Sequence, residues 1–164
     1  MKKGLQIAKE YFAKGYSPIP IKYRAKQPAI ANWTNVKITN ENIDHYFNGK
    51  DTNFGFLLGD GLIDIDIDDS RILDLAKKVL PEAGVIFGRP SKPSSHYLYD
   101  SDHQETKRFT YKNKTLIEIR SQGCQTVVPP SVHPEGEEIS WERHDNLTTI
   151  SSGELTKKVG LLAF

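Results

Sequence analysis

The chain has 164 residues, of which 37% are hydrophobic and 26% charged, and its formal net charge is +1. That size and balance fit one globular domain with a proper core instead of a disordered or membrane chain. Near-neutrality argues against a histone-type binder, and no apolar run approaches the ~20 residues of a membrane-spanning helix. A single cysteine, Cys124, excludes an internal disulfide and a multi-cysteine structural zinc module. Gln6, Lys9, Glu10 and Lys14 interrupt the apolar residues of the opening segment, so it lacks a secretory h-region and a cytoplasmic, membrane-free protein is expected.

Leu5, Ile7, Ala8, Tyr11 and Phe12 recur at helical spacing, which predicts a helix over about 4–14 ending at Gly15. Pro18 and Pro20 confine the next segment to an edge or irregular strand. Thr39 or Asn40 is the expected N-cap of a helix that Glu41 and Asn42 open and that runs through Tyr46 and Phe47 to Gly49. NFGFLLG at 53–59 reads as a strand. Gly59-Asp60-Gly61 has hairpin-turn chemistry, so the strand after it is expected to pair antiparallel with the strand before it. Apolar residues at helical spacing predict a helix over 70–80, stopped by Pro81. Short strands at 85–87 and 96–99 flank a loop, GRPSKPSS, and 100–113 reads as a mobile polar excursion. Strands at 115–120, 125–128 and 138–141 follow, with turns at Gly123 and Gly136. Helices and strands first, then mostly antiparallel strands, favour an α+β class.

The most informative stretch is IDIDIDD at 63–69. Side chains alternate along a strand, so Asp64, Asp66 and Asp68 share one face about 7 Å apart while Ile63, Ile65 and Ile67 line the other. Asp is a poor strand residue, and packed carboxylates repel unless a cation compensates them. A divalent metal site accounts for the pattern; a solvent-exposed acidic edge is the alternative. An EF-hand loop is disfavoured, because its sixth and twelfth positions fall on Asp69 and Leu75 instead of Gly and Glu. Asp69 lies on the opposite face, placed to cap the following helix.

Two further segments carry candidate chemistry. Arg89 and Lys92 on a Gly/Pro/Ser loop that leads to His96 suit a polyphosphate, although such loops are often only loops. Glu118 and Arg120 share a strand face, as a functional pair or an ordinary surface pair, and a proline-framed PPSVHP turn presents Ser131 and His133. Basic residues cluster at Lys22, Arg24 and Lys26 and again at Lys107, Arg108, Lys112 and Lys114, as phosphate contacts or as solvated surface.

In order, Asp66-Ile67-Asp68, Ser94-Ser95-His96 and Glu118 match three motifs: two acidic residues one apart, Ser-x-His, and a later single acidic residue. Lys92 stands two before the serine, Pro129 to Pro134 reproduce a PPSxHP turn, and Gly15 to Pro20 follow the first helix as G-x-x-P-x-P. Together these resemble the archaeo-eukaryotic primase superfamily, most closely the bifunctional primase–polymerase (prim-pol) domains of plasmid, phage and mobile-element replication proteins. The resemblance covers nearly the whole chain. It implies a single catalytic domain over 1–164, with an N-terminal α/β portion at about 1–60 packed against an RRM-like, mainly antiparallel portion at about 61–164. It also selects Asp66 and Asp68 as the catalytic pair, about five residues after Gly61, and leaves Asp64 as an extra carboxylate.

What the resemblance implies chemically is template-dependent nucleotidyl transfer, as DNA polymerase and DNA primase, with attack of a 3′-hydroxyl on a dNTP or NTP and release of pyrophosphate. Asp66, Asp68 and Glu118 are the expected ligands of two Mg²⁺ or Mn²⁺ ions, with Asp64 as a further candidate and no structural zinc. His96, Ser94 and Lys92, with Arg89 and Arg120 nearby and Ser131 and His133 lining the pocket, are the expected nucleotide contacts. Expected partners are a single-stranded DNA template, a primer strand and a helicase or helical priming domain. A metal-dependent nuclease and a non-catalytic single-stranded DNA or origin-binding domain are the rival readings.

Overall fold

The computed structural model describes residues 3–48 and 51–163. The elements in chain order begin with α1 (Lys3–Ala13), β1 (Pro18–Lys22), α2 (Ile43–Tyr46), β2 (Thr52–Leu57) and β3 (Leu62–Ile67). A 3₁₀ turn (Ser70–Ile72) leads into α3 (Leu73–Val79), then β4 (Val85–Arg89), β5 (Lys92–Asp100), β6 (Lys107–Tyr111) and β7 (Lys114–Arg120). The chain closes with β8 (Gln125–Val128), β9 (Ser131–Val132), β10 (Glu138–His144), β11 (Thr148–Thr149) and α4 (Ser152–Gly160). The class is α+β with mainly antiparallel sheets, as the sequence predicts. No helix among the described residues is long and apolar enough to cross a membrane.

Two compact units share the chain. One comprises the residues up to Leu57 together with Gln125–Ser140; the other comprises Leu58–Cys124 and the residues from Trp141 on. The partition therefore differs from a single cut near residue 60, because 125–140 returns to the first unit.

In the first unit β2 lies between β1 and β8. β1 is an edge strand, as its prolines require. Helix α1 ends in a Schellman arrangement: Gly15 takes φ +88°, its N–H donates to Phe12 O, and Tyr16 N–H donates to Tyr11 O. Aromatic rings form the core, with Tyr16 stacked on Phe56 at 4.3 Å and Tyr11 edge-on to Phe54 and Phe56. Helix α2 is a single turn, shorter than expected, and Gly49, its expected end, lies outside the described residues. The proline turn after β8 is stitched to β2. Phe54 N–H donates to Ser131 Oγ at 2.9 Å, and the Asn53 amide exchanges two hydrogen bonds with the Val132 backbone.

In the second unit the strand order is β6-β7-β3-β5-β4-β10, and β11 adds to β5 in parallel. Its central four, β7-β3-β5-β4, run fourth, first, third, second in chain order, the order of an RRM-like sheet. Ile63, Ile65 and Ile67 are fully buried with Tyr97, Tyr99, Ile117 and Ile119 against Leu73 and Ala76 of α3 and Leu155 and Val159 of α4. That apolar packing fixes the register of β3, since a slip of one residue would turn the isoleucines out and the aspartates in.

Three expectations need correction. β2 and β3 do not form a hairpin ladder. Asp60 and Gly61, at φ +50° and +99°, do make the tight reversal between Gly59 and Leu62, but both edges of β3 are occupied by β5 and β7. The expected loop at 88–95 is strand, because β4 and β5 form a hairpin joined by Pro90 and Ser91. The polar excursion at 100–113 contains β6, whose Phe109 pairs with Ile117 and packs on the core.

The β4–β5 hairpin carries an irregularity where Ser94 takes φ +47° opposite Gly88. A Cβ on Gly88 would lie 2.6 Å from Lys92 O and 2.8 Å from Ser94 N, both backbone atoms. Gly88→Ala is therefore expected to lose about 1–3 kcal/mol of stability by overpacking, read as a lower urea midpoint with an unchanged m-value.

Candidate active site

The site is written by the register of three neighbouring strands. Asp66 on β3 pairs with Glu118 on β7 at one side and with His96 on β5 at the other, and Asp64 pairs with Arg120. Period-two alternation then puts Asp64, Asp66, Glu118, Arg120 and His96 on the face opposite the isoleucine core. Asp68 lies just past the end of β3, where its N–H and that of Asp69 both donate to Leu116 O.

The aspartates differ in depth. Asp64 is fully buried, Asp66 retains 19% of its side-chain exposure, and Asp68 is exposed. Carboxylate oxygens of Asp66, Asp68 and Glu118 approach within 4.8 Å of one another, as do donor atoms of Asp64, Asp66 and His96. The first group is all hard oxygen and suits Mg²⁺ or Mn²⁺; the second holds the buried Asp64 against an imidazole.

Cations on the flanking strands already offset this charge. Arg120 Nη1 stands 3.5 Å from Asp66 Oδ2 and 3.7 Å from Asp64 Oδ2, and its Nε is 3.8 Å from Glu118 Oε2. The guanidinium of Arg108, paired in register with Glu118, donates to Glu118 Oε1. Asp69 accepts from Arg71 N–H at 2.9 Å and caps the 3₁₀ turn, and the Arg71 side chain holds its carboxyl at about 2.

His96 is fixed on three sides. Nδ1 lies 3.0 Å from Asp64 Oδ2, Nε2 is 3.7 Å from Asp66 Oδ1, and the ring stacks on Phe87 at 4.5 Å. Phe87 is in turn edge-on to Trp141 at 5.3 Å. Burial works against a charge on this imidazole, but the pull of Asp64 and Asp66 and the hydrogen bond to Asp64 outweigh it, so the pKa lies above the ordinary histidine value.

Ser94, two residues before His96, is buried; its N–H and hydroxyl both donate to the Glu142 carboxylate. Arg89 and Lys92 pair across the end of the same hairpin, and Arg89 Nη1 donates to Ser91 Oγ. Of the sequence-selected residues, the structure brings together Asp64, Asp66, Asp68, His96, Glu118 and Arg120, with Ser94, Lys92 and Arg89 farther along the His96 hairpin. Ser131 and His133 belong to the first unit. Ser131 is buried there with its hydroxyl donated to Val128 O, and His133 Nδ1 lies 3.5 Å from Glu135 Oε2.

Sequence reasoning assigned no role to Glu142, Phe87 or the Arg108–Glu118 pair. The strands these residues meet are set by tertiary pairing, which no local pattern in β4, β6 or β10 encodes.

The carboxylate cluster thus lies on the face of the RRM-like sheet opposite the isoleucine core. The chain belongs to the bifunctional DNA primase/polymerase N-terminal (Prim-Pol) family, whose model matches residues 8–153. Membership implies DNA primase and polymerase activity in general, with DNA and nucleotides as partners and divalent metal dependence. No curated protein matches the chain.

The Asp64–His96 contact makes a direct prediction for metal-free protein. In an NMR titration His96 should titrate above ~6.5, and Asp64→Asn should bring it down. The protonated form is the one the fold favours, so the stability His96 contributes is complete below ~6.5 and is lost as pH rises through its higher folded-state value. Thermal unfolding of the unaltered protein and of Asp64→Asn should therefore differ more at pH ~6 than at pH ~9.

Proposed function

We propose that the chain is a template-dependent DNA nucleotidyltransferase that joins a nucleoside triphosphate to a primer 3′-hydroxyl and releases pyrophosphate. The observation that carries this reading is the convergence of Asp66, Asp68 and Glu118 within 4.8 Å beside a histidine whose other nitrogen is held by Asp64. Their donor set fits two Mg²⁺ or Mn²⁺ ions, hard cations that prefer carboxylate oxygen. Held by Asp66, Asp68 and Glu118, such ions would supply positive charge to the displacement.

The protein's own residues hold the triphosphate. His96 donates from Nε2 to a phosphate oxygen while Asp64 keeps Nδ1 protonated and the ring oriented, as a carboxylate behind a histidine does in other phosphate and metal sites. Lys92 and Arg89 extend positive charge along the hairpin, and Arg120 balances the carboxylates as phosphate enters. Ser94 contributes by anchoring the bulged strand to Glu142, which sets the height of His96 two residues on. The Ser131 hydroxyl is hydrogen-bonded to Phe54 and Val128 within the first unit, and the residues named above for the triphosphate belong to the second.

Primer extension with a labelled primer, single-stranded template, deoxynucleoside triphosphates and Mg²⁺ or Mn²⁺ tests it. Chelation should stop synthesis, and Asp66→Asn/Asp68→Asn should reduce it by at least about 10²–10³-fold; extension that survives the double substitution would remove these carboxylates from the chemistry. His96→Ala should weaken nucleotide affinity about ten- to a hundredfold, the scale of a charge-assisted hydrogen bond, as measured by calorimetry. A nuclease using the same carboxylates would show no such dependence on His96.

A further inference from the structure

Arg108 is placed by its neighbour. Phe109 pairs with Ile117 and packs on the core, so alternation along β6 sends Lys107 to the core side of the sheet and Arg108 to the opposite side. Lys107 accordingly lies over the Phe109 ring at 5.2 Å. Arg108 stands in register with Glu118, and Glu118 in register with Asp66 on β3. A cation and two carboxylates thus form a row across three adjacent strands.

Glu118 is divided between two arginines. Its Oε1 accepts from Arg108 Nε, while its Oε2 is 3.8 Å from Arg120 Nε, and Nη1 of that same Arg120 is 3.5 Å from Asp66 Oδ2. Oε1 is therefore the oxygen on the β6 side and Oε2 the one toward Asp66. With the Arg108 bond made, an oxygen of Glu118 still lies within 4.8 Å of oxygens of Asp66 and Asp68, so the bond is compatible with a cation on the other oxygen. Arg108 makes no other hydrogen bond or ion pair among the described residues, and its side chain is 63% exposed. Such a pair adds little to folding. Without it, Glu118 would be held against the like charges of Asp66 and Asp68 by Arg120 alone, which also serves Asp64 and Asp66.

We propose that Arg108 is a positioning residue for Glu118: its hold on Oε1 fixes the carboxylate with Oε2 presented to a divalent cation. This rests on the metal-dependent nucleotidyl-transfer reading for its cation. Groups that orient a metal's ligands typically carry about ten- to a hundredfold of affinity. Mere charge offset predicts the opposite sign, because removing a cation that only repels the metal would tighten binding.

Mn²⁺ titrated into the whole chain at ~0.15 M salt without nucleotide, with the free ion read by its EPR signal, decides between them. Arg108→Ala should weaken Mn²⁺ binding about tenfold or more, even though a positive charge is lost. Arg108→Gln, which loses the charge but keeps an N–H donor for Oε1, should recover most of that affinity. Lys107→Ala, the same charge on the other face, should leave it unchanged. In a Glu118→Gln background, removing Arg108 should weaken binding no further, since the two act as one unit. Equal or tighter binding by Arg108→Ala, no recovery in Arg108→Gln, or an undiminished loss in the Glu118→Gln background would overturn the role of Arg108, and primer extension by unaltered protein would leave the function standing. Unaltered protein that extends primers yet takes up no Mn²⁺ overturns it too, because no preset site exists. If unaltered protein neither binds Mn²⁺ nor extends primers, both fall together.

Discussion

The structure depends on the confinement of like charges on one strand. Two carboxylates about 7 Å apart repel by about 2 kcal/mol at an effective dielectric near 20, whereas opposite charges about 4 Å apart attract by about 4 kcal/mol. A strand carrying Asp64, Asp66 and nearly Asp68 is therefore tolerable only with cations at contact distance. β7 supplies Arg120, β5 supplies His96, and β6 reaches across with Arg108. β7 and β5 flank β3 and β6 flanks β7, each fixed by backbone pairing, so the electrostatics and the sheet order are one arrangement.

The opposite face of the same strand makes that crowding possible. Ile63, Ile65 and Ile67 are sealed under α3 and α4, and burial of an isoleucine is worth about 1.5–3 kcal/mol, so the three together outweigh one carboxylate repulsion. The core thus holds the aspartates in register against their own repulsion. Depth then divides their work: the buried Asp64 faces only protein groups, while Asp66 and Asp68 keep access to solvent. The aromatic stack from Trp141 through Phe87 to His96 does the same for the imidazole, limiting its motion from the side that Asp64 does not hold.

Much of this was legible in residues 63–69. Period two reveals two faces, and alternation with isoleucine gives Glu118 its face beside Arg120, while its place next to Asp66 comes from the resemblance of the ordered motifs and from strand pairing. Other features were not local. Gly59-Asp60-Gly61 encodes a reversal but not which edges of β3 are free, so the expected β2–β3 ladder does not form. β6 escaped notice because an exposed edge strand shows little hydrophobic alternation; only Phe109 touches the core. The different depths of the three aspartates depend on what covers them, and Glu142 meets Ser94 only because β10 and the β4–β5 hairpin come together in the fold.

The two-faced strand β3 also constrains how such a protein can change. Every second residue belongs to the core and every other one to the charged site, so no position along Ile63 to Asp68 is neutral ground. A substitution there alters either folding or chemistry, and a shift of register alters both. Variation in substrate choice or rate therefore has its freedom on the strands alongside, where Arg108, Arg120 and the β4–β5 hairpin approach the same carboxylates from backbones that can be retuned without disturbing the isoleucine face.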